Sequence, residues 1–369
     1  ATGNGWWRWS VVAITGAASV AAACWKNPIR QVCALSVVGL GVTAFFVLYS
    51  APDLALTQLL VETATLLLVL LVVLRLKRND ADRQPLPAHG FWTRPLRVAL
   101  ASAVGLMLGG GVLLFQKPPA SVELAGDFYL AQTVPLAKGS NAVNTILVDF
   151  RGFDTLLEIT VLVIAALGCL GLLYRGHTGK VYAEAGPGRP DLHPVPRDLI
   201  LRYVALWGFV PLNLYAGFLF LRGHQAPGGG FIAGLVTGLS LLLLVFVLGV
   251  HGVRRLLRFN PLSVAAFGVT LSVLVAMAPV ALGKPLFYHY HGYILGFYIG
   301  TPFWFDLGVY LTVVGVVLKL ILPLMKSIHG LPAFVLEEAG RFAERDSEPI
   351  DVVGTAPADS ANGRKEGAR

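Results

Sequence analysis

Two glutamates set inside long apolar runs carry the chemistry that can be read from this sequence. Glu62 ends the stretch APDLALTQLLVE that starts at Ala51. Gln58 lies four residues before it and Thr65 three after, so on a helix the three side chains form one polar stripe. Glu158 lies in RGFDTLLEITV, with Arg151 and Asp154 seven and four residues upstream on the same helical face. A carboxyl group held in hydrocarbon is costly and is expected to face a partner or a water path. There it can exchange a proton for a cation held transiently at Glu62 or Glu158. The alternative for Glu62 is a structural carboxylate matched by a basic residue of a neighbouring polypeptide. Asp154 sits near the end of its run, where Arg151 can neutralise it.

Other polar residues have simpler readings. Asp53 follows Ser50 at capping-box spacing with Pro52 in the first turn, which points to a helix cap. Lys319, inside the last apolar run, either snorkels its ammonium to the interface or relays protons. Asp306 is thirteen residues earlier, about 20 Å along a helix, too far to pair with it. RGHQAPGGGFIAG, from Arg222 to Gly234, resembles an anion cradle ahead of a helix, but no Gly-Lys-Ser/Thr follows, so a nucleotide loop is disfavoured. Its glycines are expected to allow close backbone approach. His224 is read first as a structural hydrogen-bonder and second as a proton relay. His289 and His291 make a His-x-His pair with no evident third metal ligand, so an interfacial aromatic loop is the better reading. Cys24, Cys33 and Cys169 are expected to be buried apolar fillers, with no disulfide framework.

The elements that position these residues follow from composition. Of 369 residues, 55% are hydrophobic and 14% charged, too few charges to cover a soluble core of this size. The expected fold is all-α, a polytopic membrane bundle of about nine helices. These run approximately over 9–23, 29–49, 51–74, 96–115, 153–174, 199–221, 229–250, 261–282 and 303–325. Twenty-two of the 29 Lys and Arg residues fall at alternate connections and the tail, six fall on the other side, and Lys319 is left within a span. That bias predicts the N-terminus outside and the C-terminus cytoplasmic. The net charge of +8 is therefore a topology signal and does not point to nucleic acid. Residues 117–150 are expected to be a long outer loop, 177–197 a cytoplasmic linker, and 331–369 a charged, disordered tail. Spans of this kind exclude a soluble enzyme, and no haem, flavin, iron–sulfur or other cofactor motif occurs.

The three motifs together resemble the Mrp-type multisubunit Na⁺/H⁺ antiporters. Residues 51–62 are similar to a membrane segment near the C-terminal end of the large A-type subunit, and 151–161 to the last helix of that subunit. The stretch GHQAPGGGFIAGL, 223–235, is similar to the signature of the B-type subunit. The resemblance implies that 1–176 corresponds to the end of the A-type subunit and 198–330 to a fused B-type subunit. It also implies partners: the other subunits, including the large antiporter-like domain of the A-type subunit, with Na⁺ and H⁺ as the transported ions and the lipid bilayer as the solvent. That large domain is missing from this sequence, so the resemblance implies either the tail of a longer fused chain or a split gene. Related modules occur in membrane-bound hydrogenases, which implies an ion-translocating part of a redox pump as the alternative.

Overall fold

The structure is a computed structural model that describes residues 6–25, 27–78, 93–114, 125–175, 199–257, 259–294, 297–298 and 300–328. The expected linker 177–197 and tail 331–369 lie outside the described residues. The described residues form eleven α-helices: α1 Trp6–Cys24, α2 Pro28–Leu48, α3 Pro52–Arg78, α4 Thr93–Leu114, α5 Ala125–Ala137, α6 Ala142–Thr145, α7 Gly152–Arg175, α8 Leu199–Arg222, α9 Gly230–Leu256, α10 Pro261–Met277 and α11 Thr301–Ile328. A π-helical turn, Ile146–Phe150, leads into α7, and a 3₁₀ turn, Ala278–Leu282, extends α10. Tyr293–Ile294 (β1) and Phe297–Tyr298 (β2) pair antiparallel in a minimal hairpin.

All nine expected spans are helices. Seven are long and apolar enough to cross a membrane: α2, α3, α7, α8, α9, α10 with its 3₁₀ extension, and α11. The chain is a multi-pass membrane protein. Of the other two expected spans, α1 has 19 residues, and α4 has a shorter apolar stretch, Val98–Gly111. The expected loop 117–150 differs most, since it contains α5, α6 and the π turn.

Helices α9 and α11 form the centre. Their membrane-length windows are 61% and 56% buried, against 11–28% for the other five. Phe305, Val309 and Val313 of α11 pack with Val148 and Ile159. Leu242 and Val245 of α9 pack with Ile321, Leu322 and Met325 of α11. In hydrocarbon such contacts depend on close van der Waals packing, which favours small residues between helices. Helix α10 lies against α11 in this way: a Cβ on Gly308 would come within 2.6 Å of the Gly268 carbonyl oxygen. Around this centre, α8 packs on α9, α3 on α9, and α7 on both α10 and α11. Helices α1 and α2 reach it through α3.

The peripheral helices turn most of their surface outward. Cys24, Cys33 and Cys169 are free and exposed on that surface, which corrects the expectation of buried fillers. Their apolar surroundings are outward faces of α1, α2 and α7, and an apolar face in a membrane protein need not be interior.

Candidate functional site

Four connections meet at one end of the bundle: the α2–α3 turn, the segment from α5 to α7, the α8–α9 loop, and the segment from α10 to α11. Side-chain contacts tie them together. Asn141 donates through its amide to the carbonyl oxygens of Gly223 (2.8 Å) and Ala226 (3.1 Å). Ser140 donates to the Gln225 carbonyl oxygen at 2.8 Å, and the Gln225 amide donates to the Lys138 carbonyl at 2.9 Å.

The glycine loop at the start of α9 does cradle anions, and they belong to the chain itself. Gly228 N–H donates to Asp53 Oδ1 at 2.7 Å, and Gly230 N–H donates to Asp306 Oδ2 at 2.7 Å. Asp53 and Asp306 are both buried. Amide groups at a helix start lack intrahelical acceptors and favour negative charge. The expectation that Asp53 caps its own helix is thus corrected: its partner lies 175 residues away. The backbone geometry requires glycine here. Gly229 has φ of 110°, and a Cβ on it would sit 2.7 Å from Asn144 Oδ1.

Beside this cradle lies a group that sequence reasoning missed. The Asp149 side chain, on the π turn, is 4% exposed. Its Oδ2 is 3.9 Å from His224 Nδ1, and its Oδ1 is 3.8 Å from His291 Nε2. His224 is buried, with Nε2 2.8 Å from the Ala137 carbonyl oxygen. This supports its structural role, and of the His-x-His pair His291, but not His289, lies together with Asp149 and His224. His289 Nδ1 lies 3.0 Å from the Thr301 hydroxyl. Burial pushes the Asp149 carboxyl up to about 8, and repulsion from the Asp306 carboxylate adds to the shift. Burial also lowers His224 and His291, and it takes His289 down to about 4 with help from His291. Near neutral pH these imidazoles are therefore held uncharged. A signal for Asp149 was present in the sequence: it is an acidic residue set between the apolar run Ile146–Val148 and Phe150.

The other expected site residues fall in two places. Arg151, Asp154 and Glu158 line one cleft of about 610 Å³ with Leu147, Leu157, Val161, Leu162 and Phe231. Arg151 and Asp154 form an ion pair, as their spacing suggested. Glu158 is exposed on this face. Glu62 is absent from the cleft lining; it is half-buried and its carboxylate faces Gly39 of α2. Gln58 is half-buried and Thr65 exposed on the same helix, and Lys319 is half-buried on α11.

Known proteins share this arrangement of segments. The family described as a domain related to the MnhB subunit of the Na⁺/H⁺ antiporter matches residues 200–319. Those for the D and E subunits of MBH match 13–78 and 93–181. The Na⁺/H⁺ antiporter B subunit of Bacillus subtilis (strain 168) is 43% identical over 130 residues, which is 34% of this chain and 90% of that protein. The chain belongs to the Mrp-type antiporter subunit family. Another Mrp-type relative, the probable K⁺/H⁺ antiporter A/B subunit of Rhizobium meliloti (strain 1021), is 33% identical over 312 residues. That alignment covers 78% of this chain and 31% of the relative. The solved Mrp complex from Dietzia sp. DQ12-45-1b superposes with a TM-score of 0.72 at 28% identity, over 86% of this chain and 34% of the matched one. The chain thus spans about a third of the length of these longer Mrp-type relatives.

Proposed function

We propose that the chain is a membrane component of a multisubunit monovalent cation/proton antiporter, with Na⁺ as the cation, and that its intramembrane carboxylates line the ion path. It is a transport component and not an enzyme. In this reading residues 1–176 are the C-terminal membrane region of the A-type subunit, 177–197 a cytoplasmic linker, 198–330 the B-type part, and 331–369 a cytoplasmic tail. The N-terminus lies outside and the C-terminus in the cytoplasm, in the cell membrane. Its partners are the other subunits, including the large antiporter-like domain of the A-type subunit.

The observation that carries this reading is the cleft in which Asp154 and Glu158 lie one turn apart on a membrane-spanning helix. Arg151 matches Asp154 and leaves Glu158 as the carboxylate further along the helix. A carboxylate in that setting is expected to serve ion movement. Glu62, on a separate helix, is a second step of the path, with Gln58 and Thr65 as polar neighbours. Asp154 stands at its entrance and Lys319 is a relay group, while His224, bonded to the Ala137 carbonyl, serves a structural role.

Glu62→Gln and Glu158→Gln in the complete assembly test this. Each keeps the side-chain size and removes the ionisable group. Na⁺-dependent ΔpH in everted vesicles is expected to fall about 10-fold or more, in line with the loss of a proton-transfer group, at normal complex levels. Full transport by both variants would overturn the assignment. Loss of transport in proportion to loss of complex would favour a scaffold role. The matches to the D and E subunits of MBH favour a second reading, an ion-translocating module of a redox-driven pump. Hydrogenase-like subunits in the purified complex would select it.

A further inference from the structure

Among the described residues, Asp149 is the carboxylate whose two oxygens are both buried without a hydrogen-bond donor. Asp53 and Asp306, the other two buried acids of this end of the bundle, each receive a glycine N–H. A buried ionised carboxylate without a donor or countercharge is unfavourable, and either protonation or a bound cation relieves it.

The tautomer of His224 bears on that choice. A carbonyl oxygen only accepts, so the 2.8 Å contact with Ala137 O places the proton on Nε2. In the neutral ring Nδ1 then presents a lone pair, and it faces Asp149 Oδ2 at 3.9 Å. That gap is too long for a hydrogen bond between the two atoms. His291 Nε2 adds a third donor atom at 3.8 Å from Oδ1, and one ligand atom from each of the three residues lies within 4.8 Å of the others. Histidines that bind metals usually donate the other ring N–H to a carbonyl or carboxylate, which fixes the ring. His224 already makes that bond.

We propose that Asp149, His224 and His291 form a binding site for a divalent first-row transition ion, with Zn²⁺ as the best fit. Two imidazole nitrogens and one carboxylate oxygen suit Zn²⁺ and its neighbours, whereas Mg²⁺ and Ca²⁺ favour all-oxygen sets. Bonds of about 2.0–2.2 Å require the ligand atoms to draw together by roughly 1 Å. The His291 side chain is 17% exposed, so the site has a side open to water for a further ligand. The three ligands come from three different connections, before α7, after α8 and between α10 and α11. A bound ion therefore cross-links the end of the bundle where the two halves meet. The inference does not depend on which ions the assembly transports.

The test uses the full chain in its native assembly, purified into lipid nanodiscs and stripped with a chelator. Zn²⁺ alone is expected to bind at one ion per chain and to raise the unfolding temperature, while Mg²⁺ and Ca²⁺ at equal concentration do neither. Asp149→Asn and His291→Gln are expected to weaken Zn²⁺ binding at least tenfold. Failure of the wild-type protein to bind, or unchanged binding in both variants, would overturn the site. If the variants do not fold, X-ray absorption at the zinc edge of the wild-type protein decides. Two imidazoles with oxygen ligands support the site, and any other ligand set refutes it.

Discussion

Asp306 does two things at once: it accepts the Gly230 N–H and puts negative charge at the start of α9. Asp306→Ala and Asp306→Asn both remove the charge, so their difference isolates the hydrogen-bond acceptor. The alanine variant leaves a buried N–H without a partner, which costs about 1–3 kcal/mol. The asparagine variant retains an acceptor oxygen and is expected to unfold measurably later than the alanine variant in a thermal-stability assay. Equal unfolding temperatures would mean that the Gly230 contact contributes nothing. Residues of this kind are hard to read from sequence. Asp53 was given a local partner because local spacing is all a sequence displays, whereas its true partner comes from the α8–α9 loop. Glu62 and Glu158 were legible for the opposite reason. An acid within an apolar run is conspicuous without any knowledge of the fold, and the Arg151–Asp154 pair needs only helical spacing.

At the level of elements, the apolar runs set the helices well because their lengths match the bilayer and their ends carry Asn, Pro and Gly. Asn27 and Asn260 cap α2 and α10, each with Pro at the first position. Within the expected loop 117–150 the helices are hard to read because α5 carries Pro135 and mixed polarity, and a π turn has no simple sequence period. The α8–α9 loop was legible as a place of close backbone approach, though not as a receptor for two carboxylates. Its strictest position is Gly229. Alanine there must adopt φ of 110° and displace Asn144, so Gly229→Ala is expected to cost upwards of about 2 kcal/mol. The comparison is Gly168→Ala on α7, where a Cβ meets nothing within 4 Å and φ is helical. That change should be neutral or slightly stabilising. Thermal unfolding and accumulation of the two variants check the contrast, and a tolerated Gly229→Ala would show that the loop is not held as described.

For the whole molecule, the joint between the two halves matters more than the chain that links them. Helix α3 packs on α9, and α7 packs on α10 and α11. Asp53 to Gly228, Asn141 to Gly223 and Ala226, and Ser140 to Gln225 add hydrogen bonds across the same joint. Every one of these contacts lies between residues before 176 and residues after 198. The B subunit of Bacillus subtilis (strain 168) is matched over 90% of its own length, and the MnhB-related domain covers residues 200–319, so a separate polypeptide of this kind already exists. Covalent linkage contributes a high effective concentration and no contact of its own. Co-expression of 1–186 and 187–369 as two chains is therefore expected to give a complex that co-purifies through a tag on either half. Asp53→Ala with Asn141→Ala removes three of these hydrogen bonds while leaving the helix packing, and it should reduce recovery of the untagged half several-fold. If the unmutated halves fail to co-purify although each inserts in the membrane, the joint does not hold the two halves together and the linker does.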